Sequence, residues 1–222
     1  MSSASRDDPP LPGPWRRLTT ALVCDALDAV GRRAQSPQLA WPVRTFDGLL
    51  AGRAKTTLWA DMAHEDPKPY ELELLAVDTC RPGEVIVAAA GGSLRSAIWG
   101  DLLSTAARSR GAAGALVDGA SRDLEKVGRL GFAVLARGTS VYDSRDRQRV
   151  TDIDVAVEVG GVMIQPGEIV LADADGVVIV PRDCEEEVLQ LATRKLEAEG
   201  EVRRAFEEGL GAREVFRRYG VL

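Results

Sequence analysis

Cysteine is scarce and scattered: Cys24, Cys80 and Cys184 are the three in 222 residues. None belongs to a C-x-x-C pair, which excludes a disulfide framework and a zinc knuckle and leaves buried, small apolar side chains as the reading. Histidine is scarcer still. His64 stands alone in the segment AHEDPKP, so a zinc-dependent hydrolase or aldolase, which needs several His or Cys ligands, has nothing to build on. The lysines are Lys55, Lys68, Lys126 and Lys195. A Schiff-base aldolase requires a desolvated amine, and only Lys55, in a candidate strand, comes into question; it is read as solvated. No G-x-S-x-G elbow and no G-x-G-x-x-G fingerprint occurs, which argues against a serine hydrolase and a dinucleotide enzyme.

Basic charge is not in excess either. The formal net charge is −6, so no broad positive field exists to hold a phosphate backbone, and nucleic acid is not an expected partner. No apolar run approaches the ~18 residues of a membrane helix. The opening segment MSSASRDDPPLPGPW lacks the apolar stretch of a signal peptide. A cytoplasmic protein is expected, with residues 1–14 as a disordered lead-in and residues 15–222 as a single domain.

The composition that is present, 45% apolar and 28% charged, suits a folded globular chain. LTTALVCDALDAVG reads as a helix, with Leu22, Val23, Ala26, Leu27 and Val30 on one face, a Thr pair able to cap its start and Gly31 at its stop. FDGLLAGRAKTTLWA alternates at period two and suits strands turned by its glycines. ELELLAVDTC predicts a short helix. A regular series follows: strand 85–90, helix 97–110, strand 114–118, helix 122–129 and strand 132–136. Such alternation implies β-α-β crossovers and a parallel sheet. ARGTSVYDSRDR is a polar loop, after which VAVEV, GGVMIQPGE, IVLAD and GVVIVP read as short strands, with DADG as a hairpin turn. Asp183 is expected to cap a last, charged helix whose arm, 183–222, is read as a subunit contact.

The chemistry concentrates in GDLLSTAARSRGAAGALVDGASRD, residues 100–123. Asp101 falls at the first turn of one helix and Asp123 at the first turn of the next. Both turns lie at the carboxyl ends of parallel strands, where open α/β sheets bind ligands. Gly100 permits close approach, and the amides of Leu102 and Leu103 at the helix start offer an anion site. Arg122 adds a planar fork suited to a carboxylate. Two carboxylates with no nitrogen or sulfur ligand suit Mg²⁺ or Mn²⁺, which keep several waters. An anion grip beside a hard cation describes a site for a 2-oxo acid, and the chemistry is then aldol cleavage or decarboxylation. The plainer reading is that each Asp is a helix cap and Arg122-Asp123 a surface pair.

The segments AIWGDLLSTAARSRGAAGALVDGASRDL, FAVLARGTSVYDSRDR, GGVMIQPGEIVLADADGVVIVP and the terminal YGVL resemble the RraA-like family, which includes 4-hydroxy-4-methyl-2-oxoglutarate aldolases. The resemblance runs from about Leu18 onward. It implies a swivelling β/β/α fold, a central parallel or mixed sheet flanked by helices with a C-terminal helical arm, and assembly into a homotrimer or a hexamer built as a dimer of trimers. It further implies a metal-dependent lyase that releases pyruvate from a 4-hydroxy-2-oxo acid through a metal-stabilised enolate, with oxaloacetate decarboxylation as a side activity. By motif, Asp123 resembles the direct metal ligand and Asp101 a residue reaching the metal through water. Arg122 resembles the group that holds the substrate's carboxylate and oxo oxygens, and Gly100, Leu102 and Leu103 the segment that receives the carboxylate. A Glu from a neighbouring subunit completes the aldolase site; Glu199 is the candidate, with Glu197 and Glu201 as alternatives.

The family also holds members without metal chemistry, including a regulator that binds a ribonuclease, and a non-catalytic regulator is the competing reading. Arg137, Tyr142, Asp143 and Arg145 lie in the polar loop, where they either select substrate or pin the loop by their own charges.

Overall fold

The computed structural model describes Leu11 and residues 13–220. The elements in chain order are α1 (Thr20–Ala29), β1 (Val43–Arg44), β2 (Leu50–Asp61), α2 (Glu71–Asp78), β3 (Glu84–Ala89), β4 (Ala97–Trp99), α3 (Asp101–Ser109), β5 (Gly114–Ser121), α4 (Leu124–Leu130), β6 (Ala133–Thr139), β7 (Gln148–Ile153), β8 (Val157–Val159), β9 (Val162–Ile164), β10 (Ile169–Ala172), β11 (Val177–Val180), α5 (Glu185–Glu207) and α6 (Ala212–Tyr219). Among the described residues, no helix is long and apolar enough to cross a membrane. Most of the lead-in expected at residues 1–14 lies outside the described residues, as do the last two residues of YGVL. Of the lead-in, Leu11 is buried, and Gly13 opens a 3-10 turn whose Trp15 is buried.

One mixed sheet organises the chain, in the order β1-β6-β5-β3-β2-β10-β11, with β4 beside β5 and β7 beside β2. The expected crossovers are present: β2, β3, β5 and β6 run parallel to one another. The later strands add antiparallel pairs, β2 with β10 and β10 with β11, so the fold is α/β with a mixed sheet. Side chains alternate across it as strand geometry requires. Val85, Val87, Leu116, Leu135, Val170 and Ile179 line one face with the β8–β9 hairpin. Ile86, Ala88, Ala115, Val117, Val134 and Ala136 line the other, under α2, α3 and α4. Further along that second face, Ile169, Leu171, Val178 and Val180 are covered by α1 and α5. The helices thus form two groups, and the site belongs to the first.

Several local expectations hold for the stated reasons. The Thr19 hydroxyl accepts from the Leu22 amide at the start of α1, and Gly31, at φ 79°, ends that helix. Four are corrected. Residues 97–99 are not the start of a helix but the buried strand β4, paired parallel with β5; a short apolar run has no periodicity of its own to separate the two. Residues 50–61 form one strand rather than strands turned by glycine. Asp183 does not cap α5: Cys184 holds the cap position without a side-chain bond, and Asp183 pairs with Arg32 at 2.5 Å. Lys55 is not solvated; it is 5% exposed on β2, its ammonium paired with Asp154 at 2.7 Å.

Gly52 owes its identity to close approach. A Cβ there would lie 2.3 Å from the Gly83 carbonyl oxygen and 2.9 Å from a Val85 methyl, and neither can retreat within a paired sheet. Gly52→Ala is therefore expected to destabilise the fold by about 1–3 kcal/mol, the usual cost of overpacking. Urea unfolding checks this; an unchanged midpoint would contradict the close packing.

Candidate functional site

The β4–α3 and β5–α4 corners are tied together by backbone. The Arg122 amide donates to the Trp99 carbonyl at 3.0 Å, and the Ser121 hydroxyl donates to the same oxygen at 3.2 Å. On the other side of Gly100 the Trp99 indole donates to Ser104, whose hydroxyl donates to the Gly100 carbonyl at 2.8 Å. Residues 22 positions apart in sequence are thus held as one unit. Gly100 lies against Arg122 and Asp123: a Cβ there would meet Arg122 Cγ at 3.2 Å and Asp123 Oδ2 at 3.4 Å. Gly100 is also the N-cap of α3 and offers no side chain to the first-turn amides, so those of Leu102 and Leu103 stay available to an anion.

The two carboxylates are not helix caps. Asp123 precedes α4 in the left-handed conformation, φ 56° and ψ 31°, and makes no side-chain cap bond. Asp101 is the first residue of α3, with its side chain 25% exposed. Arg122 and Asp123 do form a part-exposed ion pair, as the plainer reading has it, with Arg122 Nε 3.7 Å from Asp123 Oδ2, longer than a hydrogen bond. Lys126, one turn into α4, lies between the carboxylates, 4.0 Å from Asp101 and 3.9 Å from Asp123. Its side chain is 65% exposed, so these contacts contribute little to stability, but they place a cation on a flexible stem where the two acids converge.

Arg122 engages Asp143 instead. Its Nη2 donates to Asp143 Oδ2 at 2.6 Å. Asp143 Oδ1 accepts from the Tyr70 hydroxyl at 2.5 Å and from the Arg145 amide at 2.9 Å. Burial alone would raise the Asp143 carboxyl, but the bonds from Tyr70, Arg145 and Arg122 outweigh it and hold the group below the usual carboxylate range. The Tyr70 phenol is pushed up to about 12, first by burial and then by its bond to Asp143. Beneath them Glu73 of α2 is 9% exposed. Burial, reinforced by the charge of Asp143, pushes its carboxyl up to about 8 against the opposing hydrogen bond from Ser144 and the charge of Arg122.

The fold therefore brings together Gly100, Asp101, Leu102, Leu103, Arg122 and Asp123 as their spacing implied. Glu199 lies on α5, in the helix group that covers β10 and β11, a different part of the sheet from Asp123. His64 is exposed in the segment before α2. The polar loop divides: Asp143 joins the site, whereas Arg137 lies 3.6 Å from Asp118 and over the Trp41 ring. Tyr142 packs under Arg147, and Arg145 offers the site its amide. Tyr70, Glu73 and Lys126 were not legible as site residues. Lys126 alone carried a local signal, its three-residue spacing from Asp123 on a helix.

Among the described residues no group of three or more His, Cys, Asp or Glu side chains is placed to hold a metal ion. The donor set of Asp123 and Asp101 is two carboxylates, hard oxygen ligands with side chains 40% and 25% exposed. That fits Mg²⁺ or Mn²⁺ with a mostly aqueous shell better than any ion needing a full protein cage.

The family profile described as RraA-like, Aldolase/RraA, matches residues 20–179. A protein of Halalkalibacterium halodurans named "Putative 4-hydroxy-4-methyl-2-oxoglutarate aldolase" is 35% identical over 189 residues, covering 85% of this chain and 84% of that one. RraAS2 of Streptomyces coelicolor, described as an unusual member of the RNase ES inhibitor RraA protein family, superposes with a TM-score of 0.75 at 27% identity, over 89% of this chain and 99% of that one. A protein of Pseudomonas syringae superposes with a TM-score of 0.78 at 25% identity, over 94% and 99% of the two chains. With sequence and sheet in agreement, the chain belongs to the RraA-like family.

Proposed function

We propose that this chain is a divalent-metal-dependent lyase that cleaves a 4-hydroxy-2-oxo acid to pyruvate and decarboxylates oxaloacetate as a side activity. The observation that carries this is the convergence of two uncapped carboxylates, Asp101 and Asp123, with Arg122 at the first turns of adjacent helices. The name borne by the Halalkalibacterium relative supports the reaction class.

Asp123 would hold the cation directly and Asp101 through water, and the Mg²⁺ or Mn²⁺ would supply Lewis-acid polarisation of the 2-oxo group. The chain's own groups do the rest. The Leu102 and Leu103 amides receive the substrate carboxylate, and Arg122 grips it together with the 2-oxo oxygen. Asp101, through a held water, accepts the proton leaving the 4-hydroxyl. The C3–C4 bond then breaks, the hydroxyl carbon becomes a carbonyl, and the electron pair stays on the three-carbon fragment, which water protonates at C3 to give pyruvate. Charge developing on the 2-oxo oxygen faces Arg122, which stabilises it.

Assembly as a trimer or a pair of trimers belongs to the same proposal, with Glu199 of a neighbouring copy, or Glu197 or Glu201, reaching the cation. Leu102 and Val141, 82% and 88% exposed beside the site, suit coverage by such a copy.

The test is pyruvate release from oxaloacetate and from 4-hydroxy-4-methyl-2-oxoglutarate with Mg²⁺ or Mn²⁺, repeated with EDTA. Release well above the metal-only background, and abolished by EDTA, is expected. A folded oligomer releasing none from either acid would overturn the lyase and favour the second reading, a non-catalytic regulator that binds a protein partner. The likeness to the Streptomyces inhibitor-family member supports that reading.

A further inference from the structure

We propose that Asp143 is a positioning residue that draws Arg122 away from Asp123 and so keeps the Asp123 carboxylate open to a cation, with Tyr70 as the strut that holds Asp143 in place. This rests on the reading of Asp123 as the metal ligand. Arg122 stands close to two carboxylates. Its Nη2 bonds Asp143 at 2.6 Å, while its Nε stays 3.7 Å from Asp123. A guanidinium next to a single carboxylate ordinarily closes into a two-bond pair. That pair would cover the oxygens a cation needs; here the guanidinium gives its side-chain hydrogen bond to Asp143 and keeps only the longer contact with Asp123.

Asp143 is built to compete for that guanidinium. Both of its oxygens are engaged, by Arg122 on one side and by Tyr70 and the Arg145 amide on the other. Its backbone is pinned to the strand that ends in the site: residue 143 bridges Ala97 of β4, and the Ala97 amide donates to the Tyr142 carbonyl at 2.9 Å. The cation side of the site and the arginine's restraint are therefore fixed to one strand. Tyr70 reaches Asp143 from a strained position. It is the N-cap of α2 with φ 65° and no side-chain cap bond, a left-handed conformation that is costly for a tyrosine. The Tyr70 carbonyl accepts from the Leu74 amide of α2 at 2.9 Å, while its side chain, which does not cap the helix, reaches Asp143.

The experiment measures Mn²⁺ binding alone, from the loss of the free-ion electron paramagnetic resonance signal on titrating metal-stripped protein, so no turnover is required. Asp143→Asn should weaken Mn²⁺ binding by roughly five- to tenfold, the strength of a partly exposed arginine–carboxylate pair. Tyr70→Phe should act in the same direction by less. The double variant Arg122→Ala/Asp143→Asn should bind Mn²⁺ as the parent does or better, because no guanidinium remains to close onto Asp123; a merely structural Asp143 would leave the double variant as weak as the single. Asp143→Asn binding like the parent, or no recovery in the double variant, overturns the proposal and leaves the lyase reading standing. A parent that binds no Mn²⁺ overturns both.

Discussion

Asp123→Asn is expected to lower metal-dependent pyruvate release by about 10³-fold or more, with the fold unchanged. Asparagine is the informative replacement because the residue sits at φ 56°. Asn adopts that left-handed conformation at least as readily as Asp, whereas Ala is strained there. The side chain makes no cap bond and its contacts with Arg122 and Lys126 are 3.7 and 3.9 Å long, so little stability depends on its charge. What the amide loses is an anionic ligand for a hard cation, and Lewis-acid stabilisation amounts to several kcal/mol, or about three decades of rate. The comparison is oxaloacetate turnover with Mg²⁺ at saturating metal, with thermal unfolding alongside. An Asn variant that turns over within threefold of the parent would remove Asp123 from the metal.

Glu73→Gln is expected to stabilise the protein at alkaline pH and to flatten its stability profile. In the folded chain the Glu73 carboxyl is pushed up to about 8 from an ordinary 4.5, first by burial and then by Asp143. The folded state therefore holds a proton that the unfolded chain releases above pH 4.5. Unfolding in that range releases the proton, so the contribution to stability is fully present below pH 4.5 and is lost as pH rises through about 8. At about 1.4 kcal/mol for each pH unit over which the two states differ by one proton, the loss between pH 5 and 8 reaches about 4 kcal/mol at most. The groups facing Glu73 are Asp143 and Ser144 of the loop, Arg122 from the β5–α4 corner and Tyr70 at the start of its own helix. Asp118 and Glu168 are also shifted upward by burial, but they are common to both proteins and cancel in the comparison. Urea unfolding of parent and variant at pH 5, 6, 7 and 8 checks this: the gap should widen with pH, and parallel profiles would show that Glu73 is not held protonated.

Local chemistry made much of this protein legible. A hydroxyl cap and a glycine stop delimit α1 wherever that sequence is placed, because cap bonds join residues a few positions apart. The alternation from β3 through β6 announced parallel crossovers, and crossovers bring successive strand ends to one edge. Asp101 and Asp123 could thus be assigned to one crevice from spacing alone. Where the reading failed, a distant partner decided. Ala97–Trp99 became a strand because β5 offers a parallel edge; Gly52 marks the passage of the Gly83 carbonyl; Lys55 is buried because Asp154, 99 residues on, pairs with it.

Most of the elements, the α/β class and the presence of an acid, an arginine and a second acid at adjacent helix starts were readable in the chain's own order, since each depends on near neighbours. How those groups are arranged around one another was decided by packing. Arg122 stands beside Asp123 yet gives its hydrogen bond to Asp143, which also accepts from Tyr70, 73 residues away. A carboxylate's role follows from which donors stand within about 3 Å of it, and that is set by how separate segments pack, which no local pattern records.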